Sequence, residues 1–139
     1  MRDGFTLLEL LVVVLIITIL GAIVGVQLAD EPHKARVAAA QAQIGNFKLA
    51  LNRYRMDSGR LPTQRQGLMA LCELPTVDPV PRTYPEYGYL ESRMLPLDPW
   101  GNPYVYLIPG RDRQPFEIVC YGADGEPGGD GKGADISSD

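Results

Sequence analysis

The sequence predicts an α+β fold in which one long N-terminal helix packs on a small three-stranded antiparallel sheet. Three observations lead to this prediction. An apolar run extends from Phe5 to about Leu28 and contains a single charged residue, Glu9. A stripe of apolar residues at helical spacing follows, between His33 and about Asp57. After Gly59 the chain becomes rich in glycine and proline, which excludes a mainly helical second half.

The apolar run is long enough to cross a membrane. No residue between Leu10 and Gln27 is charged, and at about 1.5 Å of rise per residue the run spans a hydrocarbon core of about 30 Å. Only Met1-Arg2-Asp3-Gly4 precede it and no Ala-x-Ala cleavage site follows it, so it is not an ordinary secretory signal. We predict three regions: a leader over 1–4, a transmembrane helix over 5–29, and an extracytoplasmic head over 30–139, with the N-terminus cytoplasmic because Arg2 precedes the run.

The junction of leader and apolar run resembles a known processing site. Gly4-Phe5-Thr6-Leu7-Leu8-Glu9 is similar to the start of type IV pilins and of the pseudopilins of type II secretion. In that family a membrane peptidase cuts after the glycine and the exposed phenylalanine amine is N-methylated. The resemblance therefore implies cleavage after Gly4 and methylation of Phe5.

Glu9 is a carboxylate within the first apolar turns. An unpaired carboxylate in hydrocarbon is costly, so acids inside membranes are usually paired and functional. The amine of Phe5 would lie one helical turn away and could neutralise Glu9 of the same chain or of a neighbouring copy; the resemblance implies the second, as an assembly contact. The alternative is that Glu9 lies among the lipid headgroups as a simple interfacial acid.

The apolar stripe of the second helical stretch is predicted to face the core of the domain. Pro32 should kink or locally unwind the helix before it. The stripe is spaced 3,4,3,4,3 and consists of Val37, Ala40, Ile44, Phe47, Leu51 and Tyr54. It lasts under three heptads, which favours packing on the chain's own sheet over a coiled coil.

Short elements are predicted for the remainder. Gly59 should end the helix, and Thr63 should cap a short helix that includes Gln66 to Cys72. Three aromatic or β-branched segments bounded by Gly or Pro are strand candidates: Tyr87 to Leu90, Tyr104 to Ile108, and Phe116 to Tyr121.

Composition excludes several classes of function. A net charge of −4 and a pI near 4.9, with no basic stripe, argue against nucleic-acid binding. The single histidine, His33, has no nearby nucleophile, so neither a catalytic triad nor a zinc site can be assembled and an enzyme is not expected. Cys72 and Cys120 could form a disulfide or remain two buried thiols.

The segment 121–136 predicts a metal-binding loop. Four carboxylates alternate with glycine, and an oxygen-rich loop without thiol or imidazole suits calcium, which takes about six to eight oxygen ligands. The predicted ligands are, in order, Asp124 and Asp135, then Asp130, then Glu126, with the backbone carbonyl of Tyr121 in addition. The alternative is a solvated, disordered acidic tail.

The resemblance extends over nearly the whole chain. Tyr54-Arg55-Met56-Asp57-Ser58-Gly59-Arg60-Leu61-Pro62-Thr63, Asp98-Pro99-Trp100-Gly101-Asn102-Pro103-Tyr104 and Gly122-Ala123-Asp124-Gly125 resemble the major pseudopilins of type II secretion. The resemblance implies a pilin-like fold, calcium in the C-terminal loop, and assembly with copies of itself into a periplasmic helical filament that drives protein export across the outer membrane. The implied partners are minor pseudopilins, an inner-membrane assembly platform and the prepilin peptidase/N-methyltransferase.

One departure and two alternatives accompany that resemblance. The family often has an aromatic residue near the end of the loop, whereas this chain finishes Ile136-Ser137-Ser138-Asp139. The alternatives are a type IV pilus subunit and a membrane-tethered calcium-binding domain that never polymerises.

Overall fold

The fold is taken from a computed structural model that describes the backbone of residues 6–138 and the side chains of 6–23 and 32–138. The predicted processing residues Gly4 and Phe5 lie outside the described residues. So do the side chains of 24–31, where the predicted boundary between membrane helix and head falls.

One helix, α1, extends over Leu7–Ser58 and contains Pro32. The helix is continuous through Pro32, so the predicted local unwinding is wrong, while the alternative of a kink stays a prediction. A proline removes only one hydrogen bond of the helical ladder, and the turns on either side keep theirs. The predicted end is confirmed: Gly59 has φ of +76° and its N–H donates to the carbonyl of Arg55 at 2.9 Å.

The chain divides into two compact units, one up to Ala35 and one from Arg36 onward. In the first unit the apolar side chains of α1 are exposed, from Leu7 at 85% to Ile23 at 57%. Within the part of the chain that the structure describes, no helix offers a stretch both long enough and apolar enough to cross a membrane.

The second unit contains the core, and the predicted stripe supplies one side of it. Five of the six predicted residues are buried, and Val37 is half-buried. The buried five are Ala40, Ile44, Phe47, Leu51 and Tyr54. Tyr104, Tyr106 and Ile118 of the sheet region belong to the same cluster, and the ring of Phe47 meets that of Tyr104 edge to face at 5.1 Å.

The sheet has three antiparallel strands in the order β1-β2-β3. They are β1 Val105–Leu107, β2 Glu117–Cys120 and β3 Ile136–Ser137. Tyr106 pairs with Ile118, and Cys120 pairs with Ile136. A three-stranded antiparallel sheet is confirmed, and two of the three predicted strand segments contain β1 and β2.

The remaining strand prediction, Tyr87 to Leu90, is wrong. Gly88 turns the chain there with φ of +76°, and the N–H of Tyr89 donates to the carbonyl of Leu71 at 2.7 Å. Tyr89 instead packs its ring 5.3 Å from that of Tyr54. Tyr89 therefore serves side-chain packing, whereas Tyr87 is 70% exposed, and β3 is formed by Ile136–Ser137 instead.

The remaining elements are single turns. The predicted short helix is present as a 3₁₀ helix, Leu68–Leu71, and two more occur at Arg111–Arg113 and Gly131–Gly133. The N-cap of the first is Gly67, which makes no side-chain capping bond, so the predicted cap at Thr63 is wrong. Thr63 and Gln66 bond reciprocally ahead of the first: Thr63 Oγ1 accepts from the N–H of Gln66 at 3.3 Å, and Gln66 Oε1 accepts from the N–H of Thr63 at 2.9 Å.

Candidate metal loop and assembly helix

The carboxylate of Asp124 lies in a cradle of glycine. A Cβ atom on Gly133 would come within 2.5 Å of Asp124 Oδ2, and one on Gly129 within 2.9 Å. The other oxygen, Oδ1, accepts a hydrogen bond of 3.2 Å from the N–H of Glu126. Glycine at positions 129 and 133 therefore allows the loop backbone to close around this carboxylate.

The carboxylate of Asp135 has one satisfied and one unsatisfied oxygen. Oδ2 accepts a hydrogen bond of 3.0 Å from the N–H of Gly128. Oδ1 is buried and has no hydrogen-bond partner, the only such side-chain atom among the described residues. Because a buried polar atom without a partner is costly, a cation that met Oδ1 would stabilise the loop.

Gly128 and Gly129 bring the two carboxylates into one neighbourhood. Gly128 contacts Asp135 through its N–H, and Gly129 lies against Asp124. The carbonyl oxygen of Gly133 lies 2.6 Å from where a Cβ of Gly129 would stand, so it faces the same glycine. Carboxylate and carbonyl oxygens are the donors that calcium prefers, and the residues present fit that ion.

The other predicted ligands are placed differently. Asp124, Glu126 and Asp130 are all exposed, but no glycine is packed against the last two as it is against Asp124; the carbonyl of Asp130 accepts the N–H of Gly133 at 3.0 Å. Over the residues that are described, no group of three or more His, Cys, Asp and Glu side chains is arranged to hold a metal ion. A calcium ion bound by Asp124 and Asp135 would thus draw its other ligands from carbonyls, such as that of Tyr121, and from water.

A buried thiol and a buried carboxylate join the end of β2 to the turn at 98–102. The Cys120 thiol donates to Asp98 Oδ2 at 3.2 Å. Burial, reinforced by this bond and by the charge of Asp135, raises the pKa of Cys120 to about 11. The thiol therefore stays protonated. Cys72 and Cys120 are both free and buried, so of the two alternatives the structure has the buried thiols.

Glu9 is exposed in the first turn of α1. Its N–H donates to Thr6 Oγ1 at 3.2 Å and to the Thr6 carbonyl at 3.1 Å, which makes Thr6 the N-cap. The capping role of Thr6 was not predicted, although Thr-x-x-Glu before an apolar run is a helix-start pattern. An acid in this position is favoured by the helix dipole, and its exposure leaves the carboxylate accessible to another chain.

Two family models match the chain in adjoining segments. Residues 1–25 match the prokaryotic N-terminal methylation motif, and residues 27–139 match protein G of the type II secretion system. The chain belongs to the type II secretion system protein G family. The predicted resemblance to major pseudopilins is confirmed.

Relatives of the protein G family cover almost the whole chain. It is 44% identical over 137 residues to the type II secretion system core protein G of Pseudomonas aeruginosa, covering 99% of this chain and 94% of that protein. It is 46% identical to the core protein G of Vibrio cholerae, covering 99% and 91%. The crystal structure of the major pseudopilin from the type 2 secretion system of enterohaemorrhagic Escherichia coli matches with a TM-score of 0.68 and 38% identity, over 80% of this chain and 92% of that one.

Proposed function

We propose that this chain is the structural subunit of a type II secretion pseudopilus, which polymerises into a periplasmic helical filament and drives protein export across the outer membrane. The observation that carries the proposal is the succession of the methylation motif and the protein G segment on one chain. The role is mechanical, and no step of it requires catalysis by this chain.

The surface of the first unit supports assembly through α1. Its apolar side chains are exposed at successive positions, including Leu7 at 85%, Leu8 at 73% and Ile17 at 63%. A surface this apolar needs lipid or other protein to cover it. Residues 5–29 would lie in the inner membrane before assembly and in a bundle of identical helices afterwards. Each copy would present different surfaces to the copies on either side, which generates an open helix.

Processing would prepare that helix. Cleavage after Gly4 by the prepilin peptidase and methylation of Phe5 leave a charged amine close to Glu9. The exposed Glu9 carboxylate could pair with the amine of a neighbouring copy and set the register of the filament. Intact mass of the membrane-extracted protein tests this step: loss of Met1 to Gly4 plus one methyl group is expected, and a chain that still begins at Met1 would contradict it.

Calcium would stabilise the head. The glycine cradle of Asp124 and the unsatisfied Oδ1 of Asp135 support a cation in the 121–136 loop. When bound, the ion would supply positive charge that offsets the repulsion among the loop's carboxylates. Asp124 and Asp135 would hold it, and carbonyls such as those of Gly133 and Tyr121 would contribute oxygen atoms.

The export role can be tested in the chain's own host. We expect deletion of the gene to leave secreted proteins in the periplasm, and a plasmid copy to restore their release. Minor pseudopilins and an inner-membrane assembly platform are the proposed partners. Unchanged release after deletion would contradict the export role, and loss of surface pili with normal release would favour a type IV pilus subunit.

A further inference from the structure

The turn at 98–102 is held in one shape by hydrogen bonds between its own residues. Asp98 is 5% exposed, and its Oδ1 accepts hydrogen bonds from the N–H groups of Trp100 at 2.9 Å and Asn102 at 2.8 Å. The N–H of Asp98 donates to the carbonyl of Asn102 at 2.8 Å, which closes the turn. Asp98 Oδ2 accepts a hydrogen bond from the thiol of Cys120, which connects the turn to the last residue of β2.

This turn places the side chain of Asn102 against the start of the loop 121–136. Asn102 Nδ2 donates to the carbonyl of Gly122 at 3.3 Å. A Cβ atom on Gly125 would lie 3.1 Å from both Nδ2 and Oδ1 of Asn102, so the amide group packs directly on the Gly125 backbone. Asn102 therefore touches the chain two residues before and one residue after Asp124.

Both contacts are to glycine residues with positive φ, a conformation that other residues rarely adopt. Gly122 has φ of +67° and Gly125 has φ of +69°. Glycine loses more conformational freedom on folding than any other residue, so an external contact is needed to hold such a segment in one shape. The Asn102 amide supplies that contact on both sides of Asp124.

We infer that Asn102 is a positioning residue for the metal loop, which holds Asp124 and the adjoining backbone in the shape that binds calcium. The inference rests on the proposed calcium site. Asn102 itself is not assigned as a ligand; it acts through Gly122 and Gly125. Groups that orient metal ligands in this way typically change metal affinity by about 10- to 100-fold when they are removed.

The test is calcium titration of the full-length protein in detergent micelles, stripped of metal beforehand, by isothermal calorimetry. Asn102→Ala should raise the Kd for CaCl₂ by about tenfold or more while the melting temperature of the metal-free protein changes little. Asn46→Ala, which removes an exposed asparagine from α1, should leave the Kd unchanged. A purely structural role of Asn102 would lower the metal-free melting temperature and leave the Kd as it is.

The possible outcomes distinguish the positioning role of Asn102 from the calcium site on which it rests. Tight binding by the wild type and equal binding by Asn102→Ala would overturn the positioning role and leave the calcium site standing. No calcium binding by the wild type would overturn the calcium site and the positioning role together. If Asn102→Ala does not fold, the side-chain amide resonances of wild-type Asn102 decide: they should shift when calcium is added, and unchanged resonances would overturn the inference.

Discussion

The ammonium group of Lys48 donates a hydrogen bond of 2.6 Å to the carbonyl oxygen of Ser138, 90 residues further along the chain. Ser138 is also bonded to the sheet: its N–H donates to the Ile118 carbonyl at 3.0 Å, and its Oγ accepts from the Ile118 N–H at 3.0 Å. Ser138, which directly follows β3, is therefore hydrogen-bonded to both α1 and β2.

Replacing Lys48 with methionine should weaken the second unit. The variant keeps the apolar stem and removes the donor, and hydrogen bonds of charged groups contribute about 1.5–3 kcal/mol. We expect the free energy of unfolding to fall by about 1.5 kcal/mol, measured by urea unfolding of the full-length protein in detergent with Trp100 fluorescence. Arg82→Met, at an exposed loop position, is the matched control; an equal effect of the two variants would contradict the role of Lys48.

Glu117 should give the protein a characteristic acid sensitivity. It is 2% exposed, and Arg111 Nε donates to its Oε2 at 2.8 Å, while Ser137 Oγ donates to its Oε1 at 2.8 Å. The bonds from Arg111 are the main cause that lowers the pKa of Glu117 from 4.5 to about 2, against the opposing effect of burial.

A lowered pKa in the folded state means that the carboxylate stabilises the fold above its unfolded pKa. That stability should be lost as the pH falls from about 4.5 through about 2. Urea unfolding across this range should show a decline that is shallower in Glu117→Gln. Parallel curves for the variant and the wild type would mean that Glu117 does not cause the acid sensitivity.

Removing calcium should lower the melting temperature of the full-length protein. A ligand present at 100 times its Kd stabilises a protein by about 2.7 kcal/mol, and chelation removes that term. Asp124→Asn and Asp135→Asn should each reduce the shift that chelation produces. The matched control is Asp112→Asn, at an exposed position with φ of +50° that asparagine tolerates. If a chelator leaves the wild-type melting temperature unchanged, the proposal that calcium stabilises the head is wrong.

The helical core face was predictable and the third strand was not. Residues from Ala40 to Tyr54 repeat at the helical period, and that period depends only on local geometry. Strand β3 has two residues, Ile136 and Ser137, too few to form an alternating pattern. It forms because Cys120 and Val119 pair with it across the loop, which is a long-range contact.

The metal-binding role of the loop 121–136 stays a prediction, and the arrangement of its residues was predictable only in part. Alternating acids and glycines point to oxygen ligation, and this pattern singles out Asp124 and Asp135. The support from Asp98 and Asn102 was not predicted, because these residues lie about 20 positions earlier in a turn. The residues of the turn at 98–102 carried part of the resemblance to major pseudopilins, but only the fold shows that this turn contacts the loop 121–136.

Filament yield is the measurement that tests the central claim most directly. The wild type and Glu9→Gln would be expressed with the assembly machinery, and filaments sheared from the cells would be compared with the processed subunit left in the membrane. We expect abundant wild-type filaments, and a Glu9→Gln subunit that is cleaved and membrane-bound but poorly assembled. A wild-type subunit that is cleaved yet stays monomeric in the bilayer would contradict the account.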